Sequence, residues 1–374
     1  MRNFAVKLMM LAAGFGGVTA AAAQGVVAHL QDAGEISAAD IGSGKLHFRI
    51  ENQGSDSIHI LSWGTPLGDE MTANLFRVEQ NGVRARYIGA MVKRGEPTEE
   101  DYFELKPGQS RTVDVDLSAY YDLRNGGAYE VSYAPHGGEL ILEASAVQKS
   151  GAKIARPVET QSATIWVDAG ARSIDSMGPV GARGEVQSLQ SRLPTGTGAL
   201  AAAAASNSYV KCTNTQQTQI VPARDSAVVY ANNAKSYLAT GAAGSRYTWW
   251  FGGYTSSNYA LITTHYNNLV SALSTQPYTF DCGCKQKRTY AYVYPDQPYT
   301  VHLCGAFWSA PNTGTDSRAG TLIHESSHFT VVAGTDDYAY GQTAAHNLAL
   351  TNVAQAVMNA DSHEYFAENN PALN

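Results

Sequence analysis

The sequence predicts two domains: an N-terminal antiparallel, β-sandwich-like domain over residues 24–171 and a C-terminal, mainly α (α+β) domain over residues 208–374. Three observations carry this. Residues 26–167 are written in short alternating or apolar runs broken by turn formers. Residues 172–207 lose their large apolar side chains and gain Pro, Gly and Ala. From residue 208 apolar residues recur at helical spacing, interrupted by one strand pair. A chain of 374 residues is long enough to bury two such cores.

Taken in order, residues 1–23 read as an export signal. Arg2 and Lys7 are followed by a short greasy run from Leu8 to Ala13, and Thr19 to Ala23 offers a small-residue cleavage site near Gln24. The run is too short and too rich in Ala and Gly for a membrane anchor, and no later stretch approaches about 18 apolar residues. A secreted, soluble protein with no membrane partner is therefore expected. Strands are predicted at Leu46–Ile50, Ser57–Leu61 and Leu75–Val78. A Pro-Gly turn after Phe103–Leu105 leads into Arg111–Leu117, and Gly126-Gly127 into Ala128–Tyr133. The histidines of this half (His29, His47, His59, His136) are scattered, and no cluster of chemically useful residues is visible in it.

The segment 172–207 holds Pro179, Pro194 and an Ala-rich run from Ala199 to Ala205, broken only by Leu200. It reads as a protease-accessible linker with the maturation site, and a short helix fits the Ala-rich run. Beyond it, helices are predicted over Val221–Leu238 and Ser257–Leu273, strands at Tyr290–Tyr294 and Thr300–Cys304, and helix from Ala319 almost to the end.

The net charge of −7, with no basic run among the aromatics, gives no reason to expect a nucleic-acid partner. All four cysteines, Cys212, Cys282, Cys284 and Cys304, fall in the second half. An even number behind an export signal predicts two disulfides. The one-residue gap of Cys282-Gly283-Cys284 is a poor match to zinc-binding cysteine pairs.

The strongest chemical signal is Thr321-Leu322-Ile323-His324-Glu325-Ser326-Ser327-His328. Histidines four apart stand one turn apart on a single helix face, so both imidazoles reach one Zn²⁺ at about 2.0–2.1 Å. The glutamate after the first histidine can take a proton from an attacking water and return it to a leaving amine. Thr315, Asp316 and Ser317 supply candidate N-caps, and Gly334 a natural stop. A catalytic zinc wants a third protein ligand with one position left open. Past the stop stand Asp336 and Asp337, and the residues alone do not choose between them.

His-Glu-x-x-His followed by Gly-Thr-x-Asp-x-x-Tyr-Gly resembles the signature of the aspzincins, the deuterolysin-like zinc peptidases. It maps onto His324, Glu325, His328, Gly334, Thr335, Asp337, Tyr340 and Gly341 without a gap. The resemblance implies a zincin-type metallopeptidase domain with one Zn²⁺ held by His324, His328 and Asp337. It also implies Glu325 as general base and Tyr340 as the phenol that hydrogen-bonds the oxyanion, with Asp336 left as a variable, solvated position. From Cys212 to Asn374 the chain is most similar to the peptidyl-Lys metalloendopeptidases within that family. Tyr247-Thr248-x-Trp250-Phe251-Gly252, Leu303-Cys304-Gly305-Ala306-Phe307-Trp308 and Met358 to Phe366 carry this likeness. It implies the disulfides Cys212–Cys282 and Cys284–Cys304, and an anionic pocket made by Asp361 and Glu364 for the lysine after the cut bond.

Residues three apart on a helix share a face, so both carboxylates can meet one ammonium. Tyr290 stands where the resemblance leads one to expect Phe beside that pocket. The partners implied are protein or peptide substrates with accessible lysine. Residues 24–171 are expected to be a propeptide that inhibits the enzyme intramolecularly, presenting a lysine or a linker segment to the pocket. A broad-specificity deuterolysin-like endopeptidase is the alternative within the family. A non-catalytic secreted binding protein with a vestigial zinc motif is the alternative outside it, and the complete set of base, ligands and Tyr340 argues against that one.

Overall fold

The computed structural model describes residues 25–68, 70–135, 140–143, 158–169 and 206–374. The expected export signal, and the expected linker as far as residue 205 with its Ala-rich run, lie outside the described residues. Before residue 170 the chain forms strands β1 (Val26–Asp32), β2 (Lys45–Asn52), β3 (Ile58–Leu61), β4 (Phe76–Gln80), β5 (Val83–Arg84) and β6 (Met91–Arg94). These are followed by β7 (Tyr102–Leu105), β8 (Ser110–Asp116), β9 (Gly127–Tyr133), β10 (Ile141–Glu143), β11 (Val158–Thr160) and β12 (Ala163–Val167).

Three sheets result, ordered β11-β1-β2-β8, β10-β3-β7 and β12-β9-β4-β5. All their pairings are antiparallel except β1 with β11. The period-2 reading of β2 holds: Leu46, Phe48 and Ile50 are buried while their neighbours are half-buried. Phe48 meets Tyr133 at 5.0 Å and Phe76 at 6.1 Å between ring centroids, which joins the first sheet to the third.

Strand β6 belongs to none of these sheets. It runs antiparallel beside β15 (Thr289–Val293) as the outermost strand of a second-half sheet, β13-β14-β16-β15-β6. The other members are β13 (Asn207–Val210), β14 (Tyr278–Asp281) and β16 (Thr300–Leu303). The strand-rich and helix-rich regions thus share a sheet. Ion pairs Arg86–Asp296 at 2.5 Å and Arg288–Asp101 at 2.6 Å also cross between them.

The first long helix, Asn214–Ala239, starts seven residues before the expected Val221. A capping box between Thr213 and Gln216 sets this start, and Pro222 is carried inside the helix. Ser256–Thr275 follows, capped by Thr255. The helix Arg318–His328 carries the His-Glu-x-x-His residues, and Ser317 caps it by accepting from the Gly320 N–H. It ends at His328, ahead of Gly334, because Phe329 turns to extended backbone and the Thr330 N–H donates to the Pro295 carbonyl. Helix was expected almost to the end, but the chain instead breaks into Gln342–Thr351, Val353–Ala356 and Ala360–Glu368.

Gly320 explains how the last helix comes so close to the His-Glu helix. A Cβ there would fall 2.1 Å from Glu368 Oε1 and 2.7 Å from Glu364 Oε1. Glu368 in turn accepts from the Ser317 N–H at 2.9 Å and the Asp316 N–H at 3.2 Å, fixing the start of the His-Glu helix. The disulfide Cys212–Cys282 ties the segments that follow β13 and β14, and Cys284–Cys304 ties the loop before β15 to the end of β16. Among the described residues no helix is long and apolar enough to cross a membrane.

Candidate active site

His324 and His328 project from consecutive turns of one helix that is buried from Ala319 to His328, and Asp337 returns to them from the turn behind it. Asp337 Oδ1 lies 3.1 Å from His324 Nε2 and 3.3 Å from His328 Nε2. These three atoms are buried and make no hydrogen bond, so they converge on a common centre and not on one another. A four-coordinate cation with ligands at about 2.0–2.1 Å spaces them about 3.3 Å apart. Two imidazoles and a carboxylate at that spacing fit zinc in chemistry and in size.

Both imidazoles are oriented from behind. His328 Nδ1 pairs with the Thr335 carbonyl at 2.9 Å, which makes Nδ1 the donor and leaves Nε2 bare. His324 Nδ1 lies 2.8 Å from Asp361 Oδ1. Burial would lower the His324 pKa, but Asp337, Asp361 and Glu364 together hold it well above the usual histidine value. Burial would raise that of Asp337, and His328 and His324 hold it well below the carboxylate range. The carboxylates that favour a proton on His324 would equally favour a cation in the proton's place.

Glu325 is fully buried, and burial lifts its pKa to about 7 against the pull of His324 and His328. A carboxylate poised there can take and return a proton near neutral pH. Burial keeps the Tyr340 phenol protonated, and hence a donor. Gly341, at φ 84°, sends its N–H to Asp361 Oδ2 at 2.6 Å, and a Cβ there would strike Glu96.

The strand β6 lies across these groups. The Tyr340 hydroxyl donates to the Val92 carbonyl at 3.0 Å, the Val92 N–H to Asp337 Oδ2 at 3.1 Å, and the Lys93 N–H to Glu325 Oε1 at 3.4 Å. The buried Lys93 side chain enters a pocket where Nζ stands 2.5 Å from Glu364 Oε2, 3.3 Å from Asp316 Oδ1 and 3.6 Å from Asp361 Oδ1. The Tyr290 ring lies 5.0 Å from that ammonium and the Tyr365 ring 5.8 Å. Burial would strip the Lys93 charge, but Glu364, Asp361 and Asp316 hold it in place. Arg94 reaches back to the Val92 carbonyl and the Tyr340 hydroxyl, each at 3.3 Å, and to Thr72 Oγ1 at 2.7 Å.

Every expected site residue thus falls in one connected cluster, with Asp361 and Glu364 behind His324 as well as around Lys93. Two expectations need correction. The first half does hold chemically useful residues, Val92, Lys93 and Arg94, which hydrophobic pattern alone could not reveal. Asp336 is not solvated: Asn74 Nδ2 donates to its Oδ2 at 2.7 Å, because the first half covers that turn. Asp316, a candidate cap by its place in the sequence, belongs to the pocket instead. It sits at φ 50°, accepts from the Tyr365 hydroxyl at 2.8 Å and adds a third carboxylate to the pocket.

Comparison with known proteins points the same way. Residues 236–368 match the aspzincin family model described as lysine-specific metallo-endopeptidase. An extracellular protease of Aeromonas hydrophila is 43% identical over 332 residues, 88% of this chain and 89% of that one. The peptidyl-Lys metalloendopeptidase of Grifola frondosa is 38% identical over 86% of this chain and 87% of its own, and that of Armillaria mellea 35% over 91% of each. A solved zinc peptidase from Grifola frondosa is 53% identical, covering 44% of this chain and 100% of its own, with a TM-score of 0.43. Relatives at this identity across most of both lengths place the chain in the aspzincin family of zinc metalloendopeptidases.

Proposed function

We propose that the chain is a secreted zymogen whose mature part, residues 208–374, hydrolyses peptide bonds on the N-terminal side of lysine. His324, His328 and Asp337 would hold one Zn²⁺. When bound, the ion supplies Lewis acidity, which eases loss of a proton from water and polarises a carbonyl. Glu325 takes the proton from the attacking water and passes it to the departing amine. Tyr340 donates to the carbonyl oxygen as negative charge develops on it, worth a few kcal/mol at the transition state. The lysine after the cut bond enters the pocket of Asp361, Glu364 and Asp316 beside Tyr290, where three carboxylates around one point favour a compact ammonium over the planar head of arginine.

The observation that carries this reading is Lys93, whose ammonium lies within 3.6 Å of three carboxylates while its backbone N–H faces Glu325. The same contact supports a propeptide role for residues 24–171, since β6 fills the cleft that a substrate would need. Residues 1–23 would direct export, and cleavage in 172–207 would begin maturation. Digestion of a denatured protein by the mature enzyme, with sequencing of the new N-termini, tests the specificity. Lysine should stand first in nearly every fragment, and a mixed set of first residues would return the enzyme to the broad-specificity class.

A further inference from the structure

We propose that the Val92–Lys93 peptide bond is a self-cleavage site, which the full chain cuts within its own β6 while the two regions remain together. The inference rests on the acyl-lysine specificity proposed above and extends it to a bond inside the protein. Each element needed to cut before a lysine meets this one bond. Its carbonyl accepts from Tyr340 at 3.0 Å, its N–H faces Glu325 at 3.4 Å, and its lysine fills the acidic pocket with Nζ 2.5 Å from Glu364. The antiparallel register, Val92 opposite Tyr292 and Lys93 opposite Ala291, holds the bond extended. Arg94 lends the same carbonyl oxygen a second donor at 3.3 Å. Such a contact strengthens as charge builds on the oxygen.

The step balances as a hydrolysis. A water oxygen adds to the Val92 carbonyl carbon, Glu325 takes the proton that water releases, and the carbon–nitrogen bond breaks. Glu325 then returns the proton to the Lys93 nitrogen, giving a Val92 carboxylic acid and a Lys93 amine, and the acid's own proton passes to that amine, leaving a Val92 carboxylate and a Lys93 α-ammonium. Because the bond is already in place, the step is first order in protein. The cut ends stay seated. Upstream, the Val92 N–H is held by Asp337, and downstream Arg94 is tied to Thr72 at 2.7 Å and lies over Trp63. Cutting here therefore leaves the cleft filled, and release waits for cleavage of the linker. That second cut falls to a protease of another specificity, since no lysine occurs between Lys153 and Lys211.

The test uses the full chain, stripped with a chelator, returned to zinc, and quenched in acid at intervals for denaturing mass spectrometry and N-terminal sequencing. A fragment beginning at Lys93 should appear with a rate constant unchanged over about 100-fold dilution. Lys93→Ala should slow cutting at that bond by on the order of 100-fold or more. A readout independent of turnover is hydrogen exchange of the metal-free chain, where amides of residues 91–94 should be protected in the wild type and exposed in Lys93→Ala. An intact Val92–Lys93 bond in a preparation whose linker-nicked portion cuts a lysine peptide would overturn the inference alone. Failure of that portion to prefer lysine peptides would overturn the specificity reading beneath it. A rate that rises with protein concentration would overturn cutting in cis.

Discussion

Replacing Asp316 by Asn tests whether the lysine pocket has three carboxylates or two. The substitution is conservative in shape: Asn tolerates the φ of 50° at this position, and its Oδ1 can still accept from the Tyr365 hydroxyl. Only the charge is removed. Asp316 Oδ1 lies 3.3 Å from the Lys93 ammonium, with 34% of its side chain exposed. At an effective dielectric of about 40, suited to a half-wet site, unit charges at that distance attract by about 2.5 kcal/mol. Solvent screening leaves about 1–2 kcal/mol, or about 5- to 30-fold in kcat/KM for lysine peptides. The loss should fall on KM, since the charge is felt before and during reaction alike. Glu364→Gln, which removes a fully buried partner at 2.5 Å, should cost more, about 3–5 kcal/mol. The assay is steady-state cleavage of matched peptides with Lys, Arg or Ala after the scissile bond. If Asp316→Asn matches wild type within twofold on the lysine peptide, or loses equally on all three, the carboxylate has no part in lysine recognition.

Glu325→Gln should abolish nearly all turnover while zinc stoichiometry by atomic absorption stays near one, as the proposed role of base and not ligand requires. Tyr340→Phe should lower kcat about 100-fold or more with little change in KM, as expected of a donor that acts on developing charge; an unchanged kcat would remove the phenol from the mechanism. Acid should destabilise the fold through His265 and His363, whose facing ring nitrogens are 2.9 Å apart and whose pKa values burial pushes down to about 4 and about 3. An unfolded histidine takes its proton near pH 6.5, so the unfolded chain binds more protons below that pH and stability falls as pH drops toward 4. At pH 5 the loss is about 2 kcal/mol for one imidazole. Urea midpoints at pH 7 and pH 5 should show it, and His265→Gln should reduce the difference.

The legible part of this protein was the part encoded locally. His324, Glu325 and His328 are placed by helix periodicity alone, and Asp337 lies close behind a turn. Asp361 and Glu364 needed the family likeness, because two acids three apart on a helix look the same whether solvated or buried. The strand β6 was illegible for a different reason. Met91-Val92-Lys93-Arg94 has no period-2 pattern, and its partner β15 is about two hundred residues further on, so nothing nearby in sequence records the pairing. The start of the helix at Asn214 was missed because its first turns, Thr-Asn-Thr-Gln-Gln, carry no apolar stripe, only a capping box. Asp316 was misread because a turn carboxylate before a helix is usually a cap, and here Ser317 takes that duty.

The position of β15 directly inside the outermost strand of its sheet carries a consequence for diet. When β6 departs, one flank of β15 offers unpaired amides and carbonyls, which bind any main chain drawn out straight, whatever its side chains. Affinity is then spread along a ribbon, while on the proposed specificity identity is read at one acidic socket. A lysine inside a stable helix cannot present such a ribbon without first unravelling. Compact folded proteins should therefore be digested at the rate at which they locally open, and loose or heat-loosened ones far faster, with the same residue cut in both.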